Sequence, residues 1–346
     1  MNYILFEKNK SNIFLIDMKK EENKIFSDLV YKWLSKYIRQ WKKVALIVNK
    51  KWYSSWIFCQ DCGNIPKCKN CDIPIAYHLD DNGNYFWLCH ICKTYYEYSV
   101  CDFCGSYNIK HYWTWTQKIR NLIYENFGVD SLIIQSETVN SPNKIKKVYE
   151  KMSDYQVVIG TSLLSTNIKL VNFDLYVFIN ADVGLNVPDF NSNYRNFLFL
   201  YETIMNVDCP TFLVQSFSPE SYSIYNACDL NFEKFRQEEL SYRKLFSYPP
   251  YSQICVIYYK NEVEQKLFKS VSKLYKELLY LKENFEKESN IEIFSTPALI
   301  YKIFWKYRYN IVIKWDNLNE FMDYAYVKLN LNKRGFKVNF NAESLL

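Results

Sequence analysis

The sequence predicts an α/β protein with a parallel sheet, an inserted metal-binding module and a C-terminal α+β domain. Three observations lead to this fold class. Short apolar runs alternate with segments of helical periodicity up to about residue 240. Eight cysteines form four CxxC pairs between residues 59 and 104, and the alternation changes around YPPY at residues 248–251.

The parallel sheet is predicted from strands that alternate with helices. Residues 12–18 indicate a strand, FSDLVYKWLSKYIRQW indicates an amphipathic helix, and VALIVN indicates a buried strand that leads directly into the cysteine pairs. Beyond the cysteines we expect helices in TQKIRNLIYENF, SPNKIKKVYEKMSD and NSNYRNFLFLYETIM, and strands in SLIIQS, VVIGTS, LYVFINAD and TFLVQS.

A second pattern begins after residue 240. Here we expect a strand in ICVIYY, a long helix in VEQKLFKSVSKLYKELLYLKENF and strands in IEIFST, YNIVIKW and FKVNFN. This order is typical of an α+β domain. We therefore predict a discontinuous α/β domain at residues 1–58 and 105–240, an insertion at 59–104 and an α+β domain at 241–346.

Composition narrows the classes of function. With 346 residues, 49% of them hydrophobic, and a net charge of +6, the chain is a folded protein that tolerates a polyanionic partner without requiring one. Its seven glycines form neither GxGxxG nor a Gly-Lys pair, which excludes a complete nucleotide phosphate loop. No apolar run approaches a membrane span, and the first residues do not resemble a signal peptide, so we expect a cytoplasmic protein.

The cysteine pairs predict two structural metal sites. In a reducing compartment, four regular CxxC pairs bind metal more often than they form disulfides. Eight thiolates fill two closed tetrahedral zinc sites and leave no position for water or substrate. Spacing alone leaves the pairing open. We expect His78 and His90 to be structural, and the scattered Cys209, Cys228 and Cys255 to lie in the core.

The motifs resemble a known family. The order of LIVNKKW, CQDCGNIPKCKNC and LCHICKTYYEYSVCDFCGS is similar to that of the primosomal replication-restart helicases (primosomal protein N′). VVIGTSLL, INADVGLNVPDF, FLVQSFSPES, EELSYRKLFSYPPY and KYRYNIVIK follow in the family's order. The resemblance covers roughly residues 12–340 and corresponds to the second half of a full-length member. It implies a RecA-like second helicase lobe, a two-zinc insertion and a C-terminal domain.

The resemblance also implies how the cysteines pair. The outer pairs, Cys59, Cys62, Cys101 and Cys104, would hold one Zn²⁺. The inner pairs, Cys68, Cys71, Cys89 and Cys92, would hold the other.

The positions that face ATP in this family differ in this chain. Gly160 and Thr161 match the start of one motif, but Thr166 and Asn167 replace its Lys-Gly. The Gly-Arg-x-Gly-Arg motif, whose arginines stabilise charge on the transferred phosphoryl group, is replaced by residues 205–209, Met-Asn-Val-Asp-Cys. Asn191 replaces the arginine of Asp-Phe-Arg, and residues 50–52, Lys-Lys-Trp, replace Arg-Arg-Gly. We therefore expect no ATP cofactor, no catalytic residue and no ATPase activity from this chain alone.

Two further groups of residues are candidates for a functional role. Asp182 and Asp189 follow a strand and favour turn capping over acid–base chemistry, and Arg195 favours an ion pair over a phosphate contact. In the stretch 301–310, basic residues alternate with aromatic ones, a pattern that suits single-stranded or branched DNA as well as a half-buried strand. The candidate DNA contacts there are Lys302, Lys306, Tyr307 and Arg308.

Three hypotheses of function follow. The first is a zinc-containing protein of replication restart that binds forked or single-stranded DNA, single-strand-binding protein or another primosome component, without its own ATPase. The second is one half of a split ATP-dependent DNA helicase that a separate lobe 1 chain completes; loss of the arginine motif argues against it. The third is a zinc-ribbon module for protein interaction, which predicts no preference for forked DNA.

Overall fold

The computed structural model describes residues 2–8, 10–23, 25–48, 57–59, 61–62, 64, 66–71, 73–79, 85–89, 91–97, 100–111, 115–134, 150–161, 164, 172–185, 187, 189–285, 291–315, 318–340 and 342–344. The chain divides into two compact units. The first comprises residues 1–54, 113–188 and 192–239, and the second comprises residues 55–112, 189–191 and 240–346. The domain boundaries expected from the sequence stay a prediction.

The strands in chain order are β1 (Tyr3–Lys8), β2 (Ser11–Asp17), β3 (Val44–Ile47), β4 (Ile57–Cys59), β5 (Ala76–Leu79), β6 (Tyr85–Leu88), β7 (Tyr95–Tyr96), β8 (Ile109–His111), β9 (Ser131–Ile134), β10 (Val157–Gly160), β11 (Leu175–Phe178), β12 (Thr211–Ser216), β13 (Gln253–Asn261), β14 (Glu292–Ile303), β15 (Lys306–Trp315) and β16 (Lys337–Asn339). The helices are α1 (Asp28–Arg39), α2 (Trp115–Phe127), α3 (Ser192–Asn206), α4 (Tyr222–Cys228), α5 (Phe232–Leu245), α6 (Glu264–Glu283) and α7 (Leu318–Leu329).

The first unit contains a mostly parallel sheet. Its described strands lie in the order β1-β2-β12-β11-β3-β10-β9, and every pair except β1–β2 is parallel. All residues of β3, β10, β11 and β12 are buried, as expected for strands covered on both faces. The predicted α/β fold with a parallel sheet is confirmed. The edge strand β1 adds an antiparallel pair that the sequence patterns did not indicate.

Local signals explain where helices of this unit begin. The Ser27 side chain accepts a hydrogen bond from the Val30 N–H and so caps α1, whose buried face contributes Val30 and Leu34 to the core. Of the helix predicted in SPNKIKKVYEKMSD, residues 141–149 lie outside the described residues.

The second unit contains an antiparallel sheet in the order β14-β15-β13-β16. The long helix α6 places Leu267, Leu274 and Leu278 in a core that also includes Ile257 and Ile313. Two small sheets, β4–β8 and β5–β6–β7, lie among the cysteine residues. The helices α4, α5 and α7 were not among the sequence-based predictions. Across the described residues of both units, no helix is long and apolar enough to cross a membrane.

Candidate metal centres

Each of the four CxxC pairs begins with the same backbone turn. The N–H of the first cysteine donates to the carbonyl oxygen five residues later: Cys59 to Asn64 (2.9 Å), Cys68 to Ile73 (2.8 Å), Cys89 to Thr94 (3.0 Å) and Cys101 to Ser106 (2.8 Å). In the last two turns the residue after the second cysteine has positive φ, 57° at Lys93 and 71° at Gly105. This reversal turns both sulfurs of a pair to one side, as a shared metal ion requires.

The outer centre consists of Cys59, Cys62, Cys101 and Cys104. Their Sγ atoms all lie within 4.8 Å of one another. We call the turn around each CxxC pair a knuckle. The pairing of β4 with β8, which matches Cys59 with Ile109, brings the first and last knuckles together. Cys59 and Cys101 are buried, whereas Cys62 and Cys104 are exposed. Solvent therefore reaches one side of this centre.

The inner centre consists of Cys68, Cys71, Cys89 and Cys92, whose Sγ atoms also lie within 4.8 Å of one another. The first three are buried and pack with Ile75 in a small apolar cluster. The sheet β5–β6–β7 joins the two knuckles that supply these four sulfurs. The structure thus brings the cysteines together in the grouping that the resemblance implied.

The sulfur–sulfur distances fit a tetrahedral ion. Cys59 and Cys104 Sγ are 3.5 Å apart, Cys62 and Cys101 3.7 Å, and Cys68 and Cys92 3.6 Å. A disulfide needs about 2.05 Å, which excludes bonded pairs at these contacts. A zinc–sulfur distance of about 2.3 Å corresponds to tetrahedral edges of about 3.8 Å. Four sulfurs at such distances suit a zinc-like ion and leave no open coordination position, so either ion would stabilise the fold without activating a water molecule.

Hydrogen-bond donors surround the sulfurs of the inner centre. The Tyr96 hydroxyl lies 3.1 Å from Cys68 Sγ, the Thr94 hydroxyl 3.1 Å from Cys92 Sγ, and the Asn70 amide donates to Cys92 Sγ at 3.6 Å. The Tyr96 phenol is a donor at neutral pH because a tyrosine is protonated there, and burial, followed by the neighbouring Cys68 sulfur, raises its pKa further. Such donors stabilise metal-bound thiolates and orient them.

The outer centre has fewer donors to sulfur. The Asn64 amide approaches Cys101 Sγ at 3.9 Å, at the long end for such a bond. Beside it, the Asp61 carboxylate accepts hydrogen bonds from the Ser106 hydroxyl and from the Asn108 amide. These two bonds, that of Ser106 first, lower the pKa of Asp61. This network fixes the loop that follows Cys104 and does not contact the sulfurs directly.

The remaining cysteines and the histidines complete the predicted set. Cys209, Cys228 and Cys255 are buried in the apolar cores, and burial raises the pKa of Cys209 and of Cys255 to about 12. A thiol so disfavoured as a thiolate is inert as a ligand or nucleophile. His90 and the side chain of His78 lie outside the described residues.

Comparison with known proteins points in one direction. The chain is 29% identical over 313 residues to replication restart protein PriA of Borreliella burgdorferi, covering 87% of this chain and 45% of that protein. It is 26% identical over 317 residues to replication restart protein PriA of Bacillus subtilis, covering 88% of this chain and 38% of that protein. This chain is similar to replication restart protein PriA. It spans less than half the length of these two PriA proteins. No protein-family profile matches it.

In the first unit, Gly160, Thr161 and Asp182, which the resemblance matched to the family's motifs, are buried or end a buried strand. Gly160 ends β10, and a Cβ atom there would overlap the Leu164 side chain. Thr161 is buried, and its carbonyl oxygen accepts from the Leu164 N–H at 2.9 Å. The Asp182 carboxylate accepts from the Ser216 hydroxyl (2.8 Å) and from the N–H groups of residues 217 and 218 (2.7 and 3.0 Å). These bonds tie the carboxyl ends of β11 and β12 together.

Residues 205–209, which stand in place of the family's arginine motif, are only partly buried. Cys209 is buried, and its thiol donates to the Thr211 carbonyl oxygen at 3.2 Å. Val207 is also buried, while Met205 is exposed at the end of α3. Arg195 lies exposed on the same helix. Residues 50–52, Thr166 and Asn167 lie outside the described residues.

In the second unit, Asp189 and Asn191 make structural contacts. Asp189 accepts from the Asn191 N–H at 3.2 Å and from the Ser344 hydroxyl. The Asn191 amide donates to the Glu343 carbonyl oxygen and accepts from the Arg243 guanidinium at 2.6 Å. Both side chains therefore hold residues 343 and 344 in place.

The candidate DNA contacts differ in their surroundings. The Lys306 ammonium pairs with Glu262 at 3.5 Å, and the Tyr307 ring packs against the Tyr301 ring and the core of this unit. Arg308 is half-buried and lies opposite Lys260 on β13. The Lys302 ammonium reaches the Lys69 carbonyl oxygen at 3.3 Å, and thus the inner centre. No local pattern in the sequence indicated that last contact.

Proposed function

We propose that this chain is the zinc-containing, DNA-binding part of a replication restart system and that it hydrolyses no ATP by itself. One observation carries the proposal: two four-sulfur centres occur in a chain that aligns over 87% of its length with replication restart protein PriA. Its partners are then forked or single-stranded DNA, together with single-strand-binding protein or other primosome components.

The two ions are Zn²⁺ and act structurally. Each closed set of four sulfurs supplies all the ligands that zinc prefers and no vacant position. Small metal-bound modules commonly fold only when their ion is bound, since the binding free energy is part of the folding free energy. Metal removal is therefore expected to disorganise residues 59–104 and to weaken DNA binding indirectly.

The residues at the motif positions support the proposed lack of ATPase activity. Phosphoryl transfer needs a guanidinium or an equivalent cation to stabilise the developing charge. At residues 205–209 this chain offers Met, Asn, Val, Asp and Cys, of which Val207 and Cys209 are buried. None of these side chains supplies a cation.

The DNA-binding proposal is tested by fluorescence anisotropy with a labelled fork and a duplex of equal length across a salt series. We expect tighter binding to the fork, a negative dependence of log K on log salt, and loss of binding after chelation that added Zn²⁺ restores. Lys302→Ala reduces the salt slope by about 1, whereas the exposed control Lys276→Ala leaves it unchanged. Equal or negligible binding to fork and duplex would favour a zinc-ribbon module for protein interaction.

The ATPase proposal needs a separate measurement. Phosphate release by the zinc-loaded chain is expected to stay at background with and without single-stranded DNA. Hydrolysis that co-elutes with the chain would contradict the proposal. Hydrolysis that appears only on adding a separate lobe 1 chain would instead support the split-helicase alternative.

A further inference from the structure

The hairpin β14–β15 ends in an unusual turn. Ile303 pairs with Lys306, so that Phe304 and Trp305 form a two-residue loop, with φ of 47° and 68°. Positive φ at both positions is the pattern of a type I′ turn, for which Asn-Gly is the favoured sequence. Bulky aromatic residues are strained in this conformation because the left-handed region brings Cβ close to the backbone. The strain at this tip makes its two side chains candidates for a function beyond closing the hairpin.

The backbone of this tip is held by the inner metal centre. The Trp305 N–H donates to the Asn70 carbonyl oxygen at 2.8 Å, and the Phe304 N–H donates to the Cys71 sulfur. The Lys302 ammonium donates to the Lys69 carbonyl oxygen at 3.3 Å. All three contacts fall on the knuckle that supplies two of the four inner sulfurs. A metal-bound thiolate accepts hydrogen bonds more strongly than a thiol, so a bound ion would fix the tip.

The two rings remain open to solvent. Phe304 and Trp305 are each 57% exposed. The Lys302 ammonium lies 5.9 Å from the centre of the Trp305 ring, and the side chains of Lys67 and Lys69 are exposed on the adjoining knuckle. The turn therefore presents two adjacent aromatic rings beside the Lys302 ammonium. The nearby Lys306 ammonium pairs with Glu262 at 3.5 Å.

We infer that Phe304 and Trp305 form a base-stacking platform for single-stranded DNA, supported by the inner metal centre and bordered by Lys302. The inference rests on the DNA-binding function proposed above and names its contact surface. Unpaired bases stack on exposed aromatic rings while nearby cations contact the phosphates. Base-paired DNA keeps its base faces buried in the helical stack, so the platform distinguishes the single-stranded arm of a fork from its duplex.

The decisive variant is the double substitution Phe304→Asn, Trp305→Gly. It replaces both rings with the sequence that a type I′ turn favours, so folding and zinc content are retained while stacking is lost. Trp305→Ala alone tests the larger ring. Tyr280→Ala is the matched control, because Tyr280 is 65% exposed on α6 of the same unit.

Binding is measured by anisotropy with a thymidine oligonucleotide and with an abasic oligonucleotide of the same length and charge. Wild type is expected to prefer the thymidine strand, and the double variant is expected to bind it between about 5-fold and 100-fold more weakly. The abasic strand, which offers phosphates without bases, is expected to bind both proteins alike. Chelation that removes the inner ion is expected to abolish the preference for bases even where some phosphate-dependent binding persists.

The outcomes separate this inference from the function on which it rests. Suppose that wild type binds the fork and that the double variant binds the thymidine strand as tightly as wild type does. The platform is then refuted and the proposed function stands. If Tyr280→Ala weakens binding as much as Trp305→Ala, the platform is refuted too. If wild type binds no DNA, both fail, and the exposed rings would belong to a protein-binding surface.

Discussion

Tyr96→Phe isolates one hydroxyl group at the inner centre. The Tyr96 oxygen lies 3.1 Å from Cys68 Sγ and 3.1 Å from the backbone nitrogen of Lys69. The Lys69 N–H can only donate, so the phenol oxygen accepts there and its own proton is directed to the sulfur. Phenylalanine keeps the ring that packs against the inner cluster and removes both hydrogen bonds.

The size of the effect follows from these two bonds. A hydrogen bond to a charged acceptor such as a metal-bound thiolate contributes about 1.5–3 kcal/mol. Because Lys69 is exposed, water replaces the bond that its N–H loses, and that loss adds little. The inner centre should therefore bind its ion about 10- to 100-fold more weakly, in the range found for the loss of other residues that support metal ligands.

Competition with a chromophoric chelator measures the affinity of each centre, and Co²⁺ substitution reports whether tetrahedral sulfur coordination persists. We expect Tyr96→Phe to weaken one of two metal equivalents and to leave the other unchanged. Tyr107→Phe is the matched control, since Tyr107 is 81% exposed beside the outer centre. If the two variants behave alike, the Tyr96 hydroxyl does not support the inner ion and the reasoning from its geometry is refuted.

Three further outcomes are expected. A chelator should remove the two ions in separate phases, the outer ion first because Cys62 and Cys104 are exposed. Cys62→Ser should abolish the fast phase. A single phase in wild type would contradict the assignment. Gly160→Ala should lower the free energy of unfolding in urea by about 1–3 kcal/mol, since the new methyl group overlaps Leu164. An unchanged unfolding midpoint would show that the Leu164 side chain moves aside without cost and would contradict this expectation. Asp182→Ala should lower the free energy of unfolding by about 2–4 kcal/mol in the same assay because three hydrogen bonds are lost, and Asp182→Asn should lower it less. Equal stability of wild type and both variants would show that Asp182 does not tie the two strands together.

The sheet of the first unit was predictable because its strands are short apolar runs. VVIG at β10 and LYVF at β11 have no polar face, a pattern typical of parallel strands covered on both sides. The four CxxC spacings were equally informative, since each encodes its own turn within six residues. The edge strand β1 escaped prediction because half of its residues are exposed and it depends on pairing with β2.

Contacts between distant residues were beyond the reach of local patterns. The tip of the β14–β15 hairpin meets the inner centre across more than 230 positions of sequence, and the stretch 301–310 only suggested alternating rings and cations. Within that stretch the structure divides the candidates. Tyr307 packs in the core region, Lys306 pairs with Glu262 and Arg308 lies opposite Lys260, whereas Lys302 contacts the knuckle. Periodicity identifies faces of a strand but not what a turn touches.

The position of Asn191 shows why the family's arginine would not fit this chain by a single substitution. Its amide links the Arg243 guanidinium to the Glu343 carbonyl oxygen, and Arg243 also donates to the Pro249 carbonyl oxygen and lies over the Phe190 ring. An arginine at 191 would place a second guanidinium beside Arg243 and remove the acceptor that now satisfies it. Two like charges in a half-buried position repel each other, and the Arg243 guanidinium would also lose its hydrogen bond to the side chain at position 191. The cation at this place already comes from position 243, whose guanidinium donates to the Asn191 side chain and to the Pro249 carbonyl oxygen.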